Sequence, residues 1–132
     1  MRIVIAEDSV LLREGLARLL ADFDEEIVAA VGDADAAKEA VATLDPDLIV
    51  LDVRMPPNHS DEGIRAALSI RRSHPKVAVL VLSQYVEQHY AAELLAGDTA
   101  GVGYLLKDRV ADVREFVEAV RRVAVGLSLI HI

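Results

Sequence analysis

Residues 48–57 read Leu-Ile-Val-Leu-Asp-Val-Arg-Met-Pro-Pro, and this stretch constrains the fold more than any other. Four apolar residues in a row describe a strand covered on both faces, since a strand with one wet face would alternate apolar and polar residues. The run ends on Asp52, and Pro56 with Pro57 then stops strand pairing because proline has no N–H to donate. An acid therefore stands where a buried strand ends. Three other segments repeat the arrangement: residues 2–6 run into Glu7 and Asp8, residues 77–82 into Ser83, and residues 102–106 into Lys107. In an open parallel sheet the carboxyl ends of the strands share one edge, so acids, hydroxyl and amine distant in sequence are expected to converge there.

The segments between the strands have helical periodicity. Ser9 is placed as an N-cap for a helix with Leu12, Leu16, Leu19 and Leu20 inward, followed by a polar turn and a second strand over residues 26–31. Asp33 or Asp35 opens a helix with Ala36, Ala37, Ala40, Val41 and Leu44 inward, which Asp45-Pro46 closes. Ser60 or Asp61 caps a helix carrying Ile64, Leu68 and Ile70 toward His74. Residues 87–96 form another candidate, with Ala91, Leu94 and Leu95 inward. For the last helix Asp108 is the expected cap, with Val110, Val113, Phe116, Val117, Val120 and Ala124 on its apolar stripe and Gly126 after it. Five strands each followed by a helix predict an α/β fold, a parallel sheet with helices on both faces.

Composition narrows the function classes. With 132 residues the chain is long enough for one domain with a real core, and without cysteine it has neither disulfides nor thiolate chemistry, which suits the cytoplasm. The 53% apolar share, with only 4% aromatics, is what a doubly covered sheet requires, and no apolar window approaches the length of a membrane span. A net charge of -8, with no larger basic cluster than Arg71-Arg72 or Arg121-Arg122, argues against broad nucleic-acid binding by this domain. No Gly-rich dinucleotide or phosphate loop is present, and His59, His74, His89 and His131 lack ligand spacing.

Glu7, Asp8 and Asp52 at adjacent strand ends would repel one another, and a hard divalent cation is the natural remedy. Magnesium suits a set of oxygen donors that also faces a phosphate. With Lys107 and Ser83 beside it, Asp52 is arranged as a carboxylate nucleophile for a phosphoryl group, and an aspartyl phosphate would be the product. Taken singly, an aspartate after a strand is more often a cap, a lysine there is usually solvated, and Ser83 signifies little. Their joint occurrence at four strand ends carries the functional reading.

These residues resemble the receiver domain of two-component response regulators, in the branch whose longer members carry a LuxR-type helix-turn-helix output domain. The likeness covers residues 1–125 and rests on Glu7-Asp8, Leu-Asp-Val-Arg-Met-Pro at 51–56, Leu-Ser-Gln-Tyr at 82–85 and Gly-Tyr-Leu-Leu-Lys-Asp at 103–108. It implies a doubly wound (βα)5 flavodoxin-like three-layer sandwich with a five-stranded parallel sheet in order 2-1-3-4-5. It implies Asp52 as phosphoacceptor, Glu7, Asp8, Asp52 and the backbone carbonyl of Arg54 as Mg2+ ligands, and Lys107 and Ser83 as contacts to the phosphoryl group. Ser83 and Tyr104 would form the switch, and Arg54 and Tyr85 would tune phosphate lifetime. The implied donor is a sensor histidine kinase or a small acyl phosphate, the domain catalysing much of its own transfer without being a conventional enzyme. Homodimerisation on phosphorylation, a cytoplasmic location, and DNA contact only through a separate C-terminal output domain complete the expectation.

Two features depart from the pattern. The loop 57–63 is longer than the usual receiver turn, and residues 126–132 fit none of the placed elements. That tail is read as lying outside the domain 1–125, either disordered or from an added segment or truncated linker, with a packing arm as the lesser reading. The rival to a phosphorylation-dependent receiver is a pseudo-receiver acting as a protein interaction module. An aspartate-nucleophile phosphatase is the third class, without a recognisable substrate motif.

Overall fold

The strands form where the apolar runs place them. The computed structural model describes residues 1–58, 60–84, 92, 94, 101–127 and 129–131. β1 (Arg2–Ala6), β2 (Glu26–Val31), β3 (Leu48–Asp52), β4 (Ala78–Ser83) and β5 (Val102–Leu106) pair in parallel in the order β2-β1-β3-β4-β5. The expected order is therefore observed. β6 (Leu129–His131) adds to the free edge of β5, with Gly103 opposite Leu129 and Leu105 opposite His131. This corrects the reading that the tail fits no element: β5 ends the five-stranded order with unpaired backbone groups, and a short apolar segment can satisfy them.

Helices α1 (Val10–Asp22), α2 (Ala34–Leu44), α3 (Glu62–Ser73) and α4 (Val113–Ala124) cover the sheet. Strand alternation sends Val4, Ile49, Leu51, Val79, Val81 and Tyr104 into one core with Val41, Ile64 and Ile70 of α2 and α3. The intervening residues Ile3, Ile5, Val50, Leu80 and Leu105 pack with Leu16, Leu20, Phe116 and Val120 of α1 and α4 on the other face. Both faces being covered explains why β3 and β4 are buried along their whole length. The candidate helix over residues 87–96 lies outside the described residues except for Ala92 and Leu94, and Leu94 is buried in the first core.

Capping follows local chemistry, with one correction. Ser9 caps α1 by accepting from the Leu12 N–H at 3.4 Å, and Asp33 caps α2 by accepting from the Ala36 N–H at 2.7 Å. Asp61 occupies the cap position of α3 without a side-chain cap bond, its carboxylate pairing instead with Arg65 at 3.0 Å. Asp108 does not cap the last helix. Residues Lys107–Ala111 form a 3-10 turn, and Asp112 caps α4 by accepting from the Glu115 N–H at 3.1 Å. Val110 lies in that turn, and Val113 is exposed rather than inward. The nearer cap wins because the first residues after β5 bend to carry Lys107 over the strand ends.

Candidate functional site

Sheet order and register bring the four strand ends together. Ala6 lies opposite Leu51, so Glu7 continues beside Asp52; Asp52 lies opposite Leu82, and Ser83 opposite Leu106. Glu7, Asp52 and Ser83 are 1%, 5% and 1% exposed, the only polar or charged residues so deeply buried among those described. Asp8 is half-buried, and Glu7, Asp8 and Asp52 each offer an oxygen within 4.8 Å of the others. Lys107 extends its ammonium to Asp52 Oδ2 at 3.0 Å and to Glu7 Oε2 at 3.3 Å. The acids thus outnumber the cation that holds them.

That imbalance has a measurable consequence. Burial first, and then the charge of Asp52, push the Glu7 carboxyl up to about 7, although the Ser9 N–H and Lys107 pull the other way. Lys107 loses from burial but gains more from its hydrogen bond to Asp52 and from the charges of Asp52 and Glu7, so its proton is held more tightly than usual. Glu7 Oε1 accepts from the Ser9 N–H at 3.1 Å, whereas the buried Oε2 takes no hydrogen bond. A converging set of carboxylate oxygens, with Glu7 Oε2 held only by its ion pair to Lys107, fits a hard divalent cation, magnesium in particular.

The other side of Asp52 is shaped by a residue that sequence reading passed over as loop. The Gly63 N–H donates to the Val53 carbonyl at 2.8 Å, and a Cβ at Gly63 would stand 1.7 Å from the Asp52 carbonyl oxygen. Only glycine lets α3 begin this close to the end of β3. Glu62 gathers the extended loop. Its carboxylate accepts from the Asn58 and Ser60 N–H groups at 2.8 Å each and from Ser60 Oγ at 3.4 Å. Desolvation raises its carboxyl, but backbone hydrogen bonds from Glu62 itself, Ser60 and Asn58 outweigh this and leave it below the usual range. The signal for both roles was the dipeptide Glu62-Gly63 at the start of an apolar periodic run.

The remaining expected site residues are more scattered. Arg54 is half-buried two positions after Asp52, and Tyr104 is fully buried in β5 opposite Val81. Tyr85 lies outside the described residues. Among the described residues no helix is long and apolar enough to cross a membrane.

Comparison with known proteins agrees with this geometry. The family model "Response regulator receiver domain" matches residues 3–121. The transcriptional regulatory protein DegU of Brevibacillus brevis is 39% identical over 132 residues, covering 99% of this chain and 53% of that protein. The response regulator GacA of Pseudomonas viridiflava is 34% identical, covering 96% of this chain and 56% of that protein. The chain spans about half the length of these relatives. Among solved structures, a LuxR-family two-component response regulator from Aurantimonas sp. SI85-9A1 superposes with a TM-score of 0.81 at 26% identity, covering 97% of this chain and 87% of that one. The signal receiver domain of the putative response regulator NarL from Mycobacterium tuberculosis gives 0.73 at 30% identity, covering 91% and 95%.

Proposed function

The chain belongs to the response regulator receiver domain family, and from that premise we propose that it accepts a phosphoryl group on Asp52 and switches an output surface. The donor is a sensor histidine kinase or a small acyl phosphate. The observation that carries the reading is the convergence of Glu7, Asp8 and Asp52 within 4.8 Å, with the Lys107 ammonium 3.0 Å from the Asp52 carboxylate.

An Asp52 oxygen attacks the phosphorus, and the new O–P bond forms as the bond to the donor's leaving group breaks. A carboxylate needs no base for this. Lys107, already on Asp52 Oδ2, compensates charge on the transferring group, and the Ser83 hydroxyl at the end of β4 donates to one of its oxygens. Glu7, Asp8, Asp52 and the Arg54 backbone carbonyl would hold Mg2+, which when bound offsets the negative charge of acids and phosphoryl group together. Arg54 and Tyr85 tune how long the phosphate survives.

The dianionic product draws Ser83 and its loop inward, and Tyr104, packed in the core at the centre of β5, repacks in response. The switched face includes β5 and α4 and supports a phosphorylation-dependent homodimer. The relatives' names as transcriptional regulators support a longer parent that works in the cytoplasm and contacts DNA through an output domain outside this chain, with residues 1–125 as the receiver and 126–132 as its tail. Incubation of the purified chain with magnesium and acetyl phosphate or phosphoramidate should add one phosphoryl group by intact mass, and Asp52→Asn should abolish it. No gain at any magnesium concentration would make the chain a phosphorylation-independent interaction module instead.

A further inference from the structure

We propose that Arg13 is a positioning residue for the acidic pair, and that position 32 is glycine so that the Arg13 guanidinium can reach it; the proposal rests on the magnesium reading above. Arg13 lies in the first turns of α1, and its Nη1 donates to the Glu7 backbone carbonyl at 2.9 Å. That carbonyl belongs to the peptide joining Glu7 to Asp8. Holding the plane of this peptide restrains ψ of Glu7 and φ of Asp8, and with them the directions in which the two acidic side chains leave the backbone. The Glu7 N–H is held by the Val31 carbonyl at 3.0 Å and Glu7 Oε1 by the Ser9 N–H at 3.1 Å. Arg13 adds the hold on the carbonyl, so Glu7, the residue that follows β1, is secured at its amide, carbonyl and side chain.

A second observation points the same way from a different strand. A Cβ built on Gly32, just beyond β2, would lie 2.9 Å from Arg13 Nη1, with nothing else within 4 Å. Gly32 is not in the left-handed region, so its backbone does not itself require glycine. The missing side chain leaves room for the guanidinium. An arginine that served only as a solvated helix residue would need neither the strand-end carbonyl nor that space.

Magnesium titration by calorimetry on the whole chain, with Arg13→Met, Arg13→Lys, Gly32→Ala and the double variant Gly32→Ala/Arg13→Met, tests this. Arg13→Met should weaken magnesium binding about tenfold, as loss of a residue supporting metal ligands does. Arg13→Lys should recover part of the loss. Gly32→Ala should weaken binding severalfold, and in the double variant it should add nothing to Arg13→Met, because both act through one guanidinium. In EDTA, exchange of the Asp8 amide hydrogen should quicken in Arg13→Met and in Gly32→Ala, a readout independent of metal. Wild-type affinity in Arg13→Met, or independent and additive losses in the double variant, would overturn the proposal. Absence of magnesium binding by the wild type would overturn the site reading and this inference together, whereas wild-type binding with unchanged variants overturns the inference alone. Circular dichroism checks folding; if Arg13→Met does not fold, Gly32→Ala carries the test, since its added methyl meets only a flexible side-chain end.

Discussion

The two edges of the sheet handle charge in opposite ways. At the amino edge Asp47 and Glu25 have donors of their own: Asp47 accepts from the Arg2 N–H at 2.7 Å, and Glu25 meets the Met1 amine at 2.8 Å and Arg121 at 3.4 Å. At the carboxyl edge Glu7 and Asp52 share Lys107, with Asp8 close by. Glu25 and Glu7 are both largely buried glutamates at strand ends, yet the first has two cationic partners and the second has only an ammonium that it shares with Asp52. The difference separates acids matched by cations of their own from acids that share one. A buried carboxylate without sufficient partners costs stability, and its retention makes sense where a cation and a phosphoryl group supply what is missing.

The largest effect expected is at the carboxyl edge and is steric. Gly63→Ala places a methyl group against the Asp52 backbone, and denaturant unfolding should show a loss of about 3 kcal/mol. An unchanged midpoint would mean that α3 is not pressed against β3 as described. Next is Glu7→Gln, which should stabilise the metal-free domain at pH 8 by on the order of 2 kcal/mol while weakening magnesium binding. Glu25→Gln should do the reverse at the amino edge, costing about 1 kcal/mol. If both substitutions changed stability in the same direction, the contrast between the edges would collapse.

The pH dependence sharpens the same contrast. The folded Glu7 carboxyl sits at about 7 against an ordinary 4.5, so the native state binds more protons than the unfolded one in that window. Its contribution is full below about 4.5 and is lost as pH rises through about 7. Thermal melts in EDTA should therefore show a fall in stability across this range. That fall should be absent in Glu7→Gln and reduced by saturating magnesium. The smallest effect belongs to an exposed pair: Arg65→Ala removes the contact to Asp61 and should change stability by no more than about 0.5 kcal/mol.

Much of this molecule was legible in the chain because burial pattern is local. The apolar runs at β1, β3, β4 and β5 and the acids, hydroxyl and amine that end them identify a covered parallel sheet and the chemistry at its carboxyl edge. Capping was legible where the cap directly precedes the apolar run, as at Ser9 and Asp33. Asp108 was the cap expected for the last helix, and the turn of the chain after Lys107 gives that place to Asp112.

Sequence by itself therefore determined which acids, hydroxyl and amine stand at the strand ends, since strand-end position and side-chain type are properties of single segments. Tertiary structure alone decided which acids share Lys107, that β5 has an edge open to β6, and that Gly63 must be small. These are distances between segments far apart in the chain. They depend on sheet register and on where a helix lands, and no local periodicity encodes an approach of a few ångströms across that separation.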